Sequence, residues 1–185
     1  MRVSVPLRRA YKLINHGPTT LITSAADGRR NVMTAAWVMA LDFDPARLVA
    51  VIASGTYTRE LVEASGEFVV NVPTAKMIDV VYAAGQASGE DDDKFAALAL
   101  ATSPASVVGA PFLDDCAAWL ECRVVPEPHM QDRYDLFVGD VVAAWADDAS
   151  FVDGVWRFPS DSARTLHHLS SGVFVTSGDI VNAKT

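Results

Sequence analysis

Short apolar runs with period-two character recur along the chain, at Thr19–Ala25, Val32–Ala40, Leu48–Ala53, Phe68–Val72, Ala117–Val125, Leu136–Trp145 and Gly172–Thr176. Seven runs of this kind predict strands, mostly antiparallel, each with a buried face. Asp27-Gly28 stands between the first two runs and predicts a hairpin turn, and Asp44-Pro45 marks the next reversal. Helical spacing appears over Thr58–Ser65, with Leu61 and Val62 inward and Gly66 as the stop, and again from Ala75 to Ala84. Gly85 to Phe95 is a polar loop whose acidic residues can cap a short helix running to about Leu100. From Ala146 to Arg164 the pattern is irregular and reads as a connection or arm with no second core. Short helices between strands, with no βαβ alternation, predict a mainly β fold and one β-barrel domain over residues 1–185.

The segment Asn31-Val32-Met33-Thr34-Ala35-Ala36-Trp37-Val38-Met39-Ala40 carries no charge and alternates small with bulky side chains. As one strand it sends Val32, Thr34, Ala36 and Val38 to one face and Met33, Ala35, Trp37 and Met39 to the other. Thr34 and Ala36 would then form a shallow floor with one hydroxyl, suited to a flat ligand. A plain buried barrel strand accounts for the same pattern.

Composition narrows the function classes. A chain of 185 residues can bury about 70% of its unfolded surface without a metal or disulfide. No apolar run approaches the ~18 residues of a membrane span. The N-terminus intersperses Arg2, Arg8, Arg9 and Lys12 among its apolar residues and lacks the continuous stretch of a secretory signal, so the expected location is cytoplasmic. A net charge of −8 argues against nucleic acid, whose binding needs clustered Lys and Arg. Cys116 and Cys122 fall on one extended run, about 20 Å apart at strand rise, too far to bridge. No Cys/His set at zinc spacing accompanies them, and adjacent His167 and His168 would face opposite ways on a strand, so no metal is expected.

Familiar catalytic groupings are missing: there is no Gly-x-Ser-x-Gly elbow, no His-Glu-x-x-His and no Gly-x-Gly-x-x-Gly. His16 and His129 lie near prolines and read as surface or turn residues. What remains is a site of hydroxyls, backbone amides and a lysine. Its parts are Thr34 to Trp37, Ser54-Gly55-Thr56-Tyr57-Thr58-Arg59 and Ser88 to Lys94. The second stretch leaves a strand and enters a helix, whose N-terminal N–H groups favour an anion such as phosphate. Capping by Thr56 or Thr58 explains the same residues without a ligand.

Taken in order, Asn31 to Trp37, Asp42-Phe43-Asp44-Pro45 with Leu48 to Val51, Tyr57 to Leu61, Ser65 to Pro73, Gly85 to Phe95, Leu120-Glu121-Cys122 and Asp135 to Val141 resemble the flavin reductase-like, flavoredoxin-type FMN-binding family. The resemblance covers roughly residues 7 to 145. It implies a split β-barrel of Greek-key type with short inserted helices, forming a homodimer with one FMN per subunit near the interface. On that basis Asn31, Met33, Thr34, Ala35, Ala36 and Trp37 line the isoalloxazine, while Ser54, Tyr57, Thr58, Ser88 and Lys94 hold the ribityl chain and phosphate. Arg59 stands at a position resembling a variable one. The implied activity is an FMN-dependent oxidoreductase, taking electrons from NAD(P)H or a protein donor and passing them to flavin or another small-molecule or protein acceptor. The alternative is a flavin-binding electron carrier or reservoir without turnover.

Chemistry agrees with that transfer, since a flat ring needs small side chains beneath it and a phosphate needs hydroxyls and a cation. The flavin carries the redox chemistry, so no side chain is assigned a catalytic role. One departure stands out: reductase members often carry Gly-Asp-His before the strand that leads to Gly139, and this chain has Asp132-Arg133-Tyr134. Finally, Trp37, Trp119 and Phe137 offer more aromatic surface than one small barrel needs, in keeping with a homodimer.

Overall fold

The computed structural model describes residues 1–184. In chain order the elements are β1 (Arg2–Ser4), α1 (Leu7–Ala10), β2 (Thr20–Ala26), β3 (Arg29–Ala35), β4 (Val38–Phe43), β5 (Ala46–Val51), α2 (Tyr57–Ser65), β6 (Glu67–Val72), α3 (Ile78–Ala84), α4 (Lys94–Ala97), β7 (Thr102–Ser103), β8 (Phe112–Leu113), β9 (Ala118–Val125), α5 (Pro128–Tyr134), β10 (Leu136–Asp147), β11 (Phe151–Val152), β12 (Val155–Trp156), β13 (Leu166–Ser170) and β14 (Val173–Thr176). Among the described residues, no helix is long and apolar enough to cross a membrane.

The main sheet is antiparallel with the order β3-β2-β6-β9-β10-β5-β4, and β1 pairs with β10. Its two end strands, β3 and β4, are consecutive in the chain and separated only by Ala36 and Trp37. Three Cα steps reach at most about 11 Å, so the strip must curl until its ends meet. The result is a barrel split between β3 and β4. Inside it pack Ile22, Ala35, Leu48, Phe68, Leu120 and Phe137, while Leu21, Val32, Val69 and Trp119 face outward beneath Val81 of α3 and Phe95 of α4. Both faces of β2, β6 and β9 are thus covered, which explains runs more continuously apolar than a half-exposed strand requires.

The single strand expected over Val32–Ala40 is two strands. Residues up to Ala35 pair with β2, whereas Trp37 already belongs to the other edge, its carbonyl accepting from Val51 N at 3.0 Å. Changing partners breaks the alternation. Ala36 is exposed and Trp37 is 75% exposed, so Thr34 and Ala36 do not form the floor of one strand face.

The turn at Asp27-Gly28 adopts left-handed values at both residues, φ 52° and 75°, as a tight hairpin requires. The same dipeptide at Asp153-Gly154 closes the hairpin β11–β12 within the stretch expected to be irregular. That hairpin returns Phe151 and partly buried Trp156 to the barrel interior. β13, which carries the two histidines, also went unpredicted and pairs with the expected strand at β14. His16 is half-buried rather than on the surface: it packs edge-on against Trp156, and burial with the nearby His167 pushes its imidazole down to about 4.

Candidate functional site

Residues 52–56 lead from the end of β5 into α2. Thr56 caps it, accepting from Arg59 N at 3.4 Å, and its carbonyl accepts from Glu60 N at 3.2 Å. The amides of Tyr57 and Thr58 are left with no acceptor inside the helix, the usual condition at an N-terminus. Leu61 and Val62 are fully buried and Gly66 closes the helix at φ 70°, so the orientation of this end is fixed by packing. Thr58 is buried and its hydroxyl accepts from Asn31 Nδ2 at 2.8 Å, which ties the helix to β3. Asn31 Oδ1 is buried and without a hydrogen-bond partner. An orphaned acceptor is costly unless a ligand or water completes it.

Lys94 comes from the other side. Asp93 caps α4 through Phe95 N at 2.9 Å and Ala96 N at 3.3 Å, while Phe95 anchors the helix at 2% exposure. Held between cap and anchor, Lys94 is drawn inward to 6% exposure, where Nζ donates to Val32 O at 3.0 Å and Ala84 O at 2.8 Å. An ammonium has three donors, so one is left over. Among the described residues no carboxylate pairs with it, and burial pulls its pKa below the ordinary lysine range. A buried cation without a counter-charge is unfavourable unless an anion joins it.

These groups border one pocket of about 350 Å³, within the range typical of cofactor sites. Asn31, Met33, Thr34, Tyr57, Thr58, Ser88 and Lys94 all line it, together with Gly55, Thr56, Ala84, Gly85, Gln86, Ala87 and Gly89. Gly89 is required by close approach: a Cβ there would lie 2.1 Å from Asn31 Oδ1. The paired glycines of Gly85 to Gly89 were the available sign that this loop lies against something.

Four expected residues stand elsewhere. Ala35 points into the barrel, Ala36 lines an adjoining pocket, and Trp37 is out in solvent. Ser54 does not line the pocket, and its backbone amide donates to Asp135 Oδ1 at 3.0 Å. Arg59 is taken up by carboxylates, with contacts of 2.7 Å to Glu63, 2.6 Å to Asp135 and 3.6 Å to Asp132. It stabilises α2 and α5 and leaves Lys94 as the cation of the pocket.

Comparison with known proteins places this arrangement. The model of the flavin reductase like domain matches residues 14–158. The chain belongs to the flavin reductase-like family. Its similarity to the uncharacterized protein YddH of Escherichia coli is 43% identity over 98% of this chain and 97% of that one. An FMN-binding domain of a flavin reductases-like enzyme from Shewanella baltica superposes with a TM-score of 0.97 at 40% identity, covering 100% of this chain and 98% of the other. Flavoredoxin of Desulfovibrio vulgaris shares the fold, with a TM-score of 0.79 at 22% identity over 90% of each chain.

Proposed function

We propose that this protein binds one FMN per subunit in the pocket between α2, β3 and α4 and acts as an oxidoreductase. The observation carrying this is Lys94, a buried ammonium with a donor to spare, lining the same pocket as the open N-terminus of α2. Lys94, the Tyr57 and Thr58 amides and Ser88 would hold the phosphate. Asn31 would offer its orphaned Oδ1 to an N–H of the ring, beside Met33 and Thr34. When bound, FMN supplies electron storage and transfer; the chain binds, orients and shields it. Electrons would come from NAD(P)H or a protein donor and pass to flavin, another small molecule or a protein. The protein is expected to copurify with or take up about one FMN, read as absorbance near ~450 nm. Colourless protein after incubation with excess FMN would remove the proposal.

Tyr134 favours a second reading, a flavin-binding electron carrier. It stands at the end of α5, 62% exposed, packed edge-on against His129 with ring centroids 5.9 Å apart, and neither residue lines the pocket. A phenol lacks the paired ring nitrogens of an imidazole, which can hold one partner and accept a proton at the same time. Reduction by NADH or NADPH is therefore expected to be slow, and Tyr134→His to speed it by about tenfold or more without tightening FMN. Anaerobic stopped-flow mixing decides the point, because rapid bleaching of the unmodified protein by either nucleotide would rule out the carrier.

A homodimer belongs to the same proposal, though two of the three aromatic residues first considered cannot supply its surface. Trp119 and Phe137 are buried, at 3% and 0% exposure. Instead the edge strand β4 and the residue before it expose Trp37, Met39, Leu41 and Phe43 in a row. An apolar, unpaired edge invites a partner. Sedimentation should give a dimer, and a 19.8 kDa species that still binds FMN tightly would contradict it.

A further inference from the structure

We infer that Glu60 and Glu90 make the flavin site selective for FMN over FAD, by repelling the second phosphate of the dinucleotide from a cavity that adjoins the phosphate seat. The inference rests on the FMN reading and adds a specificity to that site. The cavity holds about 290 Å³ and is lined by Arg59, Glu60, Glu63 and Glu90 together with Gly55, Thr56 and Tyr57. Those last three also border the FMN pocket. A different neighbouring cavity shares Thr34, Gly85 and Gln86 with the FMN pocket and so lies toward the residue assigned to the ring. The acidic cavity instead meets the N-terminus of α2, where the phosphate is placed, so an extension of that phosphate runs toward its carboxylates.

The charges on this wall come from two separate elements. Glu60 stands three residues after Tyr57 in α2 and pairs with Arg29 at 2.7 Å. Glu90 comes from the loop before α4, where its amide donates to Ser88 Oγ at 3.2 Å and keeps it beside a residue assigned to the phosphate. Arg59 also lines the cavity, but Glu63, Asp135 and Asp132 already surround its guanidinium. Helix stability alone accounts for Glu60, an acid in the first turn, and for Glu63, four residues after Arg59. It does not account for Glu90, which belongs to no helix.

Shape does not refuse the larger cofactor. A cavity of ~150 Å³ takes a benzene ring, so about 290 Å³ has room for part of an added nucleotide. Charge does refuse it. The phosphate of FMN has Lys94, a buried ammonium with a spare donor, as its counter-charge. A second phosphate on the far side of Tyr57 meets carboxylates and no free cation among the described residues lining that cavity.

The test loads the full chain with FMN, dialyses it against mixtures of FMN with FAD or with riboflavin, and separates the bound flavins after release. FAD should bind at least about tenfold more weakly than FMN, since each carboxylate about 5 Å from a phosphate charge costs roughly fourfold through water. Salt should narrow that ratio as the Debye length shrinks from ~10 Å at 0.1 M to ~3 Å at 1 M. Both flavins share the first phosphate, so the ratio isolates the second. Glu60→Gln combined with Glu90→Gln should tighten FAD relative to FMN by about tenfold, while the ratio of riboflavin to FMN moves by about threefold or less. Both side chains are exposed, so the core stays intact. Equal binding of FAD and FMN by the unmodified protein would overturn the selectivity alone. FAD that stays weak in the double variant and at high salt would assign its refusal to shape and overturn the role of the carboxylates. Failure to load FMN would remove the underlying reading before any ratio is measured.

Discussion

Lys94→Ala is expected to weaken FMN by about 1.5–3 kcal/mol and riboflavin far less, because a charge-assisted bond to phosphate is lost from one ligand only. The substitution also takes a donor from Val32 O and Ala84 O, which loosens β3 against α3. Both ligands feel that loosening equally, so the ratio of their dissociation constants isolates the phosphate. Equal weakening would make Lys94 a clamp between carbonyls and nothing more. The same lysine sets a pH dependence. Its folded pKa lies below the ordinary ~10.4 because of burial, so the ammonium is lost earlier as pH rises, and FMN affinity should fall on that side. Riboflavin affinity should stay flat over the same range. A phosphate in place favours the charged form, so the loss begins at higher pH in the loaded protein than in the free one.

What could be read in the sequence was whatever local chemistry decides. Asp27-Gly28 announces its turn because few residues tolerate two consecutive left-handed conformations. Gly66 ends α2 for the same reason. The break at Ala36-Trp37 carries no such mark, being neither glycine nor proline. It exists because β3 and β4 pair at opposite ends of the sheet order, a fact about distant strands. In the site, Ser54 and Thr58 look alike as hydroxyls in a strand-to-helix passage. Asp135, 81 residues away, takes the amide of one, and Asn31 takes the side chain of the other. Lys94 was legible as a cation by resemblance, but its burial follows from Asp93 and Phe95 closing around it. Arg59 shows the converse, a charge in a promising motif that Glu63, Asp132 and Asp135 had already neutralised.

Glu121→Gln is expected to cost about 2–3 kcal/mol of stability, the scale of hydrogen bonds to a buried charge. Glu121 is fully buried on β9, and among the described residues no cation forms an ion pair with it. Its carboxylate accepts from Ser106 Oγ at 2.5 Å, Val107 N at 2.6 Å, Val108 N at 3.0 Å and Trp145 Nε1 at 2.9 Å. Burial opposes ionisation, yet the bonds from Ser106, Trp145 and the two amides outweigh it and hold the carboxyl below the ordinary range. Four donors converge on one acceptor group, so an amide in its place turns an N–H toward an N–H or O–H. The loop held this way presents Val108 and Ala110 to the outer apolar cluster, which also contains Val81, Ala84 and Phe95. Those residues carry the backbone around Lys94. Urea unfolding should show a lower midpoint at unchanged slope. In the unfolded chain Glu121 titrates near the ordinary ~4.3, above its folded value. Its stabilisation is therefore complete above that pH and is lost as pH falls through the lower, folded value. The variant should lose this part of the acid dependence as well as the stability, and a midpoint equal to that of the unmodified protein at neutral pH would show that the four bonds contribute nothing net.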